Sequence, residues 1–306
     1  MKFDIYETIT NRIIEQLEKG QIPWHKPWKS YGVKIKGAKN PTQVAFNRVT
    51  KKAYSLLNQM ILKHAGEYAS FQQWKNLGGT VKKGEKAEMV VFWKMLEIEE
   101  ESKNENEESE KKKIPVLKYF QVFHISQVSG VKPLSEKEIE EMGEIEEPQL
   151  VEDAEEVIFN YSSREQLKIQ FSGDSAFYSP LYDYVNIPDK FRFQNNTAEY
   201  YSTVFHELTH STGAKKRLDR IKPSRFGDND YSKEELVAEI GSAGLLNLLN
   251  IETPSTFTNS VAYIQSWIKA LKNDTKMIVQ ASGKAEKAVR YIIIGNVEQE
   301  KIEGAA

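Results

Sequence analysis

Apolar positions recur at helical spacing at the start of the chain. Ile5, Ile9, Ile13 with Ile14, and Leu17 fall on one face of a helix expected over Asp4–Lys19, which Gly20 ends. Two shorter helical stretches follow, Leu56–His64 and Phe71–Leu77, the second broken at Gly78-Gly79. The pattern then turns to that of strands. EMVVFWKM, Glu88–Met95, and VLKYFQVFHISQV, Val116–Val128, read as the two arms of an antiparallel hairpin. Between them Glu97–Lys113 is low-complexity Glu, Ser, Asn and Lys. It holds too little apolar surface to fold and is expected to be a disordered extension of that hairpin.

Leu134–Leu150 is charged, closed by Pro148, and reads as a boundary. The expected organisation is therefore a first domain over 1–130, a linker over 131–150 and a second domain over 151–306. The second opens with a helix over Glu152–Asn160, a strand over Leu167–Phe171 and a hairpin over Ala176–Pro188 that turns at Ser179-Pro180. A strand just before the next helix is the place from which a sheet edge could pair with an extended peptide. Helices and strands are mixed in both halves, so the fold class is α+β with two domains.

The next helix carries the chemistry. FHELTHSTG, Phe205–Gly213, contains HExxH, and residues four apart on a helix share a face, so His206 and His210 point the same way. Two imidazoles so placed can grip one Zn²⁺ per chain, with Mn²⁺ or another divalent ion as the alternative, and Glu207 can activate a bound water. Asn196 is the expected N-cap, with Glu199 at the reciprocal position, and Gly213 the expected stop. Tyr200, Val204 and Leu208 form the buried stripe on another face.

A catalytic metal site needs a third protein ligand and an open fourth position. SKEELVAEIGSAGLLNLL, Ser232–Leu249, reads as a second helix capped by Ser232, with Glu235 and Glu239 four apart. Glu235 is the expected ligand and Glu239 the acceptor that orients a ligating histidine, with Glu239 the substitute if a Ser232–Glu235 capping box occupies the first carboxylate. Ala214–Tyr231 between the helices reads as an exposed loop, in which Asp228 and Asp230 form turns. Farther on, NSVAYIQSWIKALKND, Asn259–Asp274, is an amphipathic helix with Tyr263, Trp267 and Leu271 in the core. ASGKAEKAVRYIIIG holds a last helix.

Composition adds two exclusions and one asymmetry. The chain has no cysteine, which excludes disulfides, Cys-based zinc sites and a thiol nucleophile. No apolar run approaches the length of a membrane span, and MKFDIYETITNRII lacks a signal-peptide core, so a soluble, cytoplasmic protein with no membrane partner is expected. Residues 1–95 hold 17 Lys/Arg against 7 Asp/Glu, a net +10, and the remainder 25 against 37, a net −12. The basic part includes IPWHKPWKS, where prolines keep Trp24 and Trp28 extended among His25, Lys26 and Lys29. Such interleaving suits single-stranded nucleic acid, whose bases stack while its phosphates pair. The same tryptophans would equally pin an N-terminal arm to the core. Phe46, Asn47, Arg48, Lys51, Lys52 and Tyr54 repeat the mixture, and Trp24, Lys26, Trp28, Lys29, Arg48 and Tyr54 are the candidate contacts.

DIYETITNRIIEQLEKGQIPWHKPW, LGGTVKKGEKAEMVVFWK, the pair FHELTHSTG and EELVAEIGSA, and NSVAYIQSWIKALKND together resemble the ArdC-type antirestriction proteins. These are related to the N-terminal part of TraC-type plasmid primases and travel on conjugative plasmids and other mobile elements. The resemblance spans nearly the whole chain in the same order. It implies an N-terminal single-stranded-DNA-binding domain, a C-terminal zincin-like metallopeptidase domain, and protection of incoming DNA from host restriction. A restriction enzyme or another host protein is then the implied protein partner. A non-enzymatic protein that coats single-stranded DNA beside a structural or vestigial metal site is the alternative, and a decoy acting through the acidic half is a third reading. The acidic insertion after Met95 is the main departure from the family pattern.

Overall fold

Asp4 starts the first helix because its carboxylate accepts from the backbone N–H of Tyr6 at 2.8 Å and of Glu7 at 3.2 Å. In this computed structural model, which describes residues 3–25, 44–99, 111–135, 154–193, 196–221, 229–249, 251 and 261–295, helix α1 runs Ile5–Glu18. Gly20 follows at φ 74°, the left-handed conformation that suits a residue without Cβ. Ile9, Ile13, Ile14 and Leu17 are buried, as the periodicity requires.

After a short 3₁₀ turn at Pro23–His25 come β1 (Ala45–Asn47), α2 (Leu56–Ile61), β2 (Gly66–Ala69), α3 (Phe71–Asn76) and β3 (Thr80–Val81). Then follow β4 (Glu88–Glu99), β5 (Lys111–His124) and β6 (Val128–Ser129). The main sheet has the order β1-β2-β5-β4, with β1 and β2 parallel and the rest antiparallel. β1 and β2 are too short to announce themselves by alternation, and the side-chain amide of Gln59 secures β1 by bonding both the N–H and the C=O of Ala45.

The β4–β5 ladder runs further than expected. It is paired out to Glu99↔Lys111, so both ends of the segment expected to be disordered are strand, and 100–110 lie outside the described residues. Ladder bonds along β4 and β5 satisfy backbone groups whatever side chains they carry, which is why composition alone misplaced the boundary.

The second half begins with α4 (Ala154–Glu165), then β7 (Lys168–Phe171), β8 (Phe177–Ser179) and β9 (Tyr184–Ile187). These strands form a sheet in the order β7-β9-β8, β7 parallel and β8 antiparallel to β9. The strand that precedes the histidines in sequence, β9, is thus central, and β7 and β8 are the edges. Four helices follow: α5 (Thr197–Ser211), α6 (Asn229–Leu248), α7 (Val261–Asn273) and α8 (Met277–Ile294). Among the described residues no helix is long and apolar enough to cross a membrane.

The halves share a core. Ile9, Ile13 and Leu17 of α1, Trp24, and Met60 of α2 pack in one cluster with Leu236 and Ile240 of α6, Trp267 and Leu271 of α7, and Ile278 of α8. Thr10 Oγ1 reinforces the join by donating to the Thr275 carbonyl at 2.7 Å. The buried members of a second cluster all lie in the C-terminal half and include Tyr161, Val185, Ile187, Tyr200, Val204, Phe205, Leu208 and Leu245, with Leu56 of α2 packed against them. Helix α6 faces both clusters, so the helix that carries the acidic residues is held from two sides.

Candidate metal centre

Helix α5 is fixed at both ends. Asn196 Oδ1 accepts from the Glu199 backbone N–H at 3.1 Å, and its amide donates to Glu199 Oε2 at 3.1 Å, a cap in which the reciprocal bond runs side chain to side chain. At the other end Gly213 is required by space rather than by φ: a Cβ there would sit 2.6 Å from Ile221 Cγ1. Gly241 plays the same part where α5 and α6 cross, since a Cβ would meet Thr209 Cγ2 at 2.6 Å. That close approach brings the acidic turn of α6 against the histidine turn of α5.

His206 Nε2 and His210 Nε2 lie 3.1 Å apart, with the rings nearly perpendicular at 79°. Glu235 Oε2 is 3.5 Å from His206 Nε2, and Oε1 is 3.5 Å from His210 Nε2. One ligand atom from each residue falls within 4.8 Å of the others, and among the described residues these three form the group able to hold a metal ion. The spacing suits a small ion. Ligand atoms at about 2.0–2.1 Å from a tetrahedral centre stand about 3.4 Å apart, close to the separations observed. The donor set, two imidazoles and one carboxylate, is that of an open catalytic site.

Charge organises the centre. His210 is raised above the ordinary histidine range: burial opposes its charge, but hydrogen bonds to Glu234 and Glu235 outweigh it. Burial likewise pushes Glu235 up, and His206 and His210 override it, holding the carboxylate well below its usual range. The Tyr231 phenol is pushed up to about 12 by burial first, then by the neighbouring Glu235 and Glu207 carboxylates, so it stays a donor at neutral pH. Glu207, next to His206, is 8% exposed, and its charge bears on both His210 and Tyr231.

Helix α6 begins at Asn229, so Ser232 lies inside it and no Ser232 cap competes for Glu235. Glu239 does not take the expected place. Its carboxylate lies 3.8 Å from His25 Nε2, at the join between the halves. The acid that meets the outer nitrogen of a candidate ligand is Glu234, 3.4 Å from His210 Nδ1. Arg220 holds it with two bonds of 2.9 Å, and donates also to Thr212 Oγ1 at 2.8 Å and to the Thr209 carbonyl. One guanidinium thus ties Glu234 to the Thr209 carbonyl and the Thr212 hydroxyl at the helix end. Glu234 is adjacent to Glu235 and was legible as a candidate, but no spacing rule marks an arginine ten residues past His210.

Replacing Glu234 by Gln removes the acceptor that fixes the His210 ring while leaving all three candidate ligands in place. Metal affinity should fall about 10–100-fold, read by competition with a chromophoric chelator. An unchanged affinity would mean that His210 is oriented without Glu234.

The candidate DNA contacts are scattered. Trp24 is 0% exposed and packs edge-on to Trp267, ring centroids 6.0 Å apart, so no base can reach it in this structure. Of the two readings of the tryptophans, pinning the arm to the core is the one the packing of Trp24 matches. Arg48 is paired with the buried Glu67, and Tyr54 packs edge-on to Tyr68 at 6.3 Å. Lys26, Trp28 and Lys29, and Asp228 of the loop, lie outside the described residues.

Comparison with known proteins places these observations in a family. Residues 3–123 match the N-terminal domain of the anti-restriction factor ArdC, and residues 153–284 match a zincin-like metallopeptidase. The chain is similar to the antirestriction protein ArdC of plasmid R388 in its metal-free crystal structure, with 34% identity, a TM-score of 0.68, and 95% of this chain and 97% of that one covered. The Mn(II)-bound structure of the same protein gives 34% identity and a TM-score of 0.67. The uncharacterised protein y4eC of Sinorhizobium fredii is 31% identical over 99% of this chain and 96% of its own. The DNA primase TraC of Escherichia coli is 30% identical, but the chain spans only 20% of its length. The zincin-like match and the Mn(II)-bound relative support a divalent metal.

Proposed function

Since the chain belongs to the ArdC family of antirestriction proteins, we propose that it acts in the cytoplasm, binding incoming single-stranded DNA and shielding it from host restriction with the help of a zinc-dependent, peptidase-like centre. The observation that carries the reading is the convergence of His206, His210 and Glu235, with Glu207 beside them. When bound, a divalent ion would lower the pKa of a coordinated water and polarise a carbonyl. The protein's own residues supply the rest. Glu207 takes the proton from the water, Glu234 and Arg220 orient His210, and Tyr231 donates to the Glu235 side of the site. The free edge of β8, close against α5, offers ladder bonds to an extended peptide. The protein partner is then a host restriction enzyme or another protein substrate. The priming activity of TraC belongs to a protein five times as long and is not part of the proposal.

The test is metal content. Purified protein should hold close to one zinc per chain by mass spectrometry of the metal, and His206→Ala should lose it. A zinc-free protein under metal-replete conditions would refute the zinc-dependent centre and leave the DNA-coating reading. Preferential loading with Mn²⁺ would keep the site and change its ion.

A further inference from the structure

The long β4–β5 ribbon presents two faces of different character. Its register places Glu88, Val90, Phe92, Lys94 and Leu96 of β4 on one face with Val122, Phe120, Lys118, Val116 and Ile114 of β5. Near its base this face is covered: Val90 and Val122 are buried in a cluster with Ala45, Leu62 and Tyr68, against which Tyr54 packs. Beyond that cluster the face opens. Phe120 is 42% exposed, Phe92 is half-buried, and Lys94 and Lys118 are exposed. The two rings lie parallel, 7° between planes and 4.8 Å between centroids.

We propose that this outer face, the Phe92–Phe120 stack with Lys94 and Lys118, is the surface on which single-stranded DNA is held. The proposal rests on the DNA-binding reading above and moves the contact from the buried Trp24 to the ribbon. Three observations carry it. A parallel pair with an exposed ring offers a flat surface on which an unpaired base can continue the stack, whereas a base inside a duplex has no free face to give. Lys118 stands directly across from Phe92, and Lys94 lies one position outward on the same face, so cations flank the rings as phosphates would require. From the Val90–Phe120 pair out to the Leu96–Ile114 pair the face carries two lysines and no carboxylate. The occupant this chemistry favours is therefore a polyanion with exposed aromatic bases rather than an acid-bearing protein.

The test uses the full chain and a fluorescein-labelled oligothymidylate of about 20 nucleotides, followed by anisotropy at several salt concentrations. Phe92→Ala with Phe120→Ala should weaken binding about 10-fold or more. Lys94→Gln with Lys118→Gln should also weaken it and lower the salt slope by about 1.4, two phosphate contacts at ~0.7 each for a single strand. Trp93→Ala on the opposite face should change affinity by less than twofold. If the wild type binds and both double variants bind equally well with the same salt slope, the ribbon assignment is overturned while the DNA-binding reading stands. A wild type that binds neither this probe nor a mixed-sequence strand would overturn both. If the variants instead change only the sedimentation of the free protein, the face is a contact between copies and the assignment likewise fails. Circular dichroism and melting of each variant separate lost contacts from lost folding. The lysine pair, exposed throughout, keeps the test valid even if the phenylalanine pair destabilises the ribbon.

Discussion

Glu207→Gln should leave the protein folded and loaded with metal, and should lower hydrolysis of any peptide it cleaves by about 10²–10⁴-fold. The three residues that converge are His206, His210 and Glu235, and Glu207 is not among them. Its replacement by an isosteric amide removes a proton acceptor without removing a ligand. Glu207 is 8% exposed, so the amide keeps the volume and loses only the charge. Metal content and melting temperature should therefore match the wild type while turnover disappears. His206→Ala should fail in both respects. The pair of variants separates the roles: loss of metal in Glu207→Gln would make Glu207 a ligand, and retained turnover would remove it from the reaction. In cells the same variant divides the peptidase reading from the coating one. Loss of protection with DNA affinity unchanged requires the chemistry, and full protection requires only the binding.

The parts of this protein that follow from local pattern were legible in the sequence. Helix α1 is one: Asp4, the four-residue spacing of Ile5, Ile9 and Ile13, and Gly20 specify its start, face and end without reference to any other element. The same holds for α5, where Asn196 and the stripe of Tyr200, Val204 and Leu208 orient the histidines. The pairing of Glu235 with those histidines was also within reach, because the next acidic cluster downstream of HExxH reads as a helix with Glu235 in its first turns. What was not legible depends on tertiary contact. Glu239 and Glu235 are equivalent by spacing, and only the position of His25 shows that Glu239 is drawn toward the other half. Arg220 acts through a turn whose geometry no periodicity encodes. The far end of the β4–β5 hairpin was misjudged because composition reports on side chains, whereas the ladder is a matter of backbone pairing. Trp24 shows a further limit: an aromatic among cations looks the same whether it awaits a base or fills a core.

Trp24→Ala should lower stability by about 3–5 kcal/mol, which for a chain of this size corresponds to a fall of roughly 10 °C in melting temperature. Trp24 is 0% exposed and belongs to the cluster that binds α1 and α2 to α6, α7 and α8. Truncation leaves a cavity at the join of the two halves, where rigid helices on several sides cannot all close in. Its edge-on contact with Trp267, 6.0 Å between centroids, is lost as well. Trp24→Phe, which keeps part of the volume, should cost less. The consequence for function separates core from contact: below its melting transition Trp24→Ala should bind oligothymidylate within about twofold of the wild type, because a buried ring contributes no stacking surface. A variant that melts like the wild type but binds DNA 10-fold more weakly would put Trp24 back on the DNA path and require the Pro23–His25 turn to open when a strand binds. The expected pattern, stability lost and affinity kept, instead makes the turn a rivet. It holds His25 against Glu239, 3.8 Å away and one helical turn beyond Glu235, so the packing that binds the halves together also sets the position of α6.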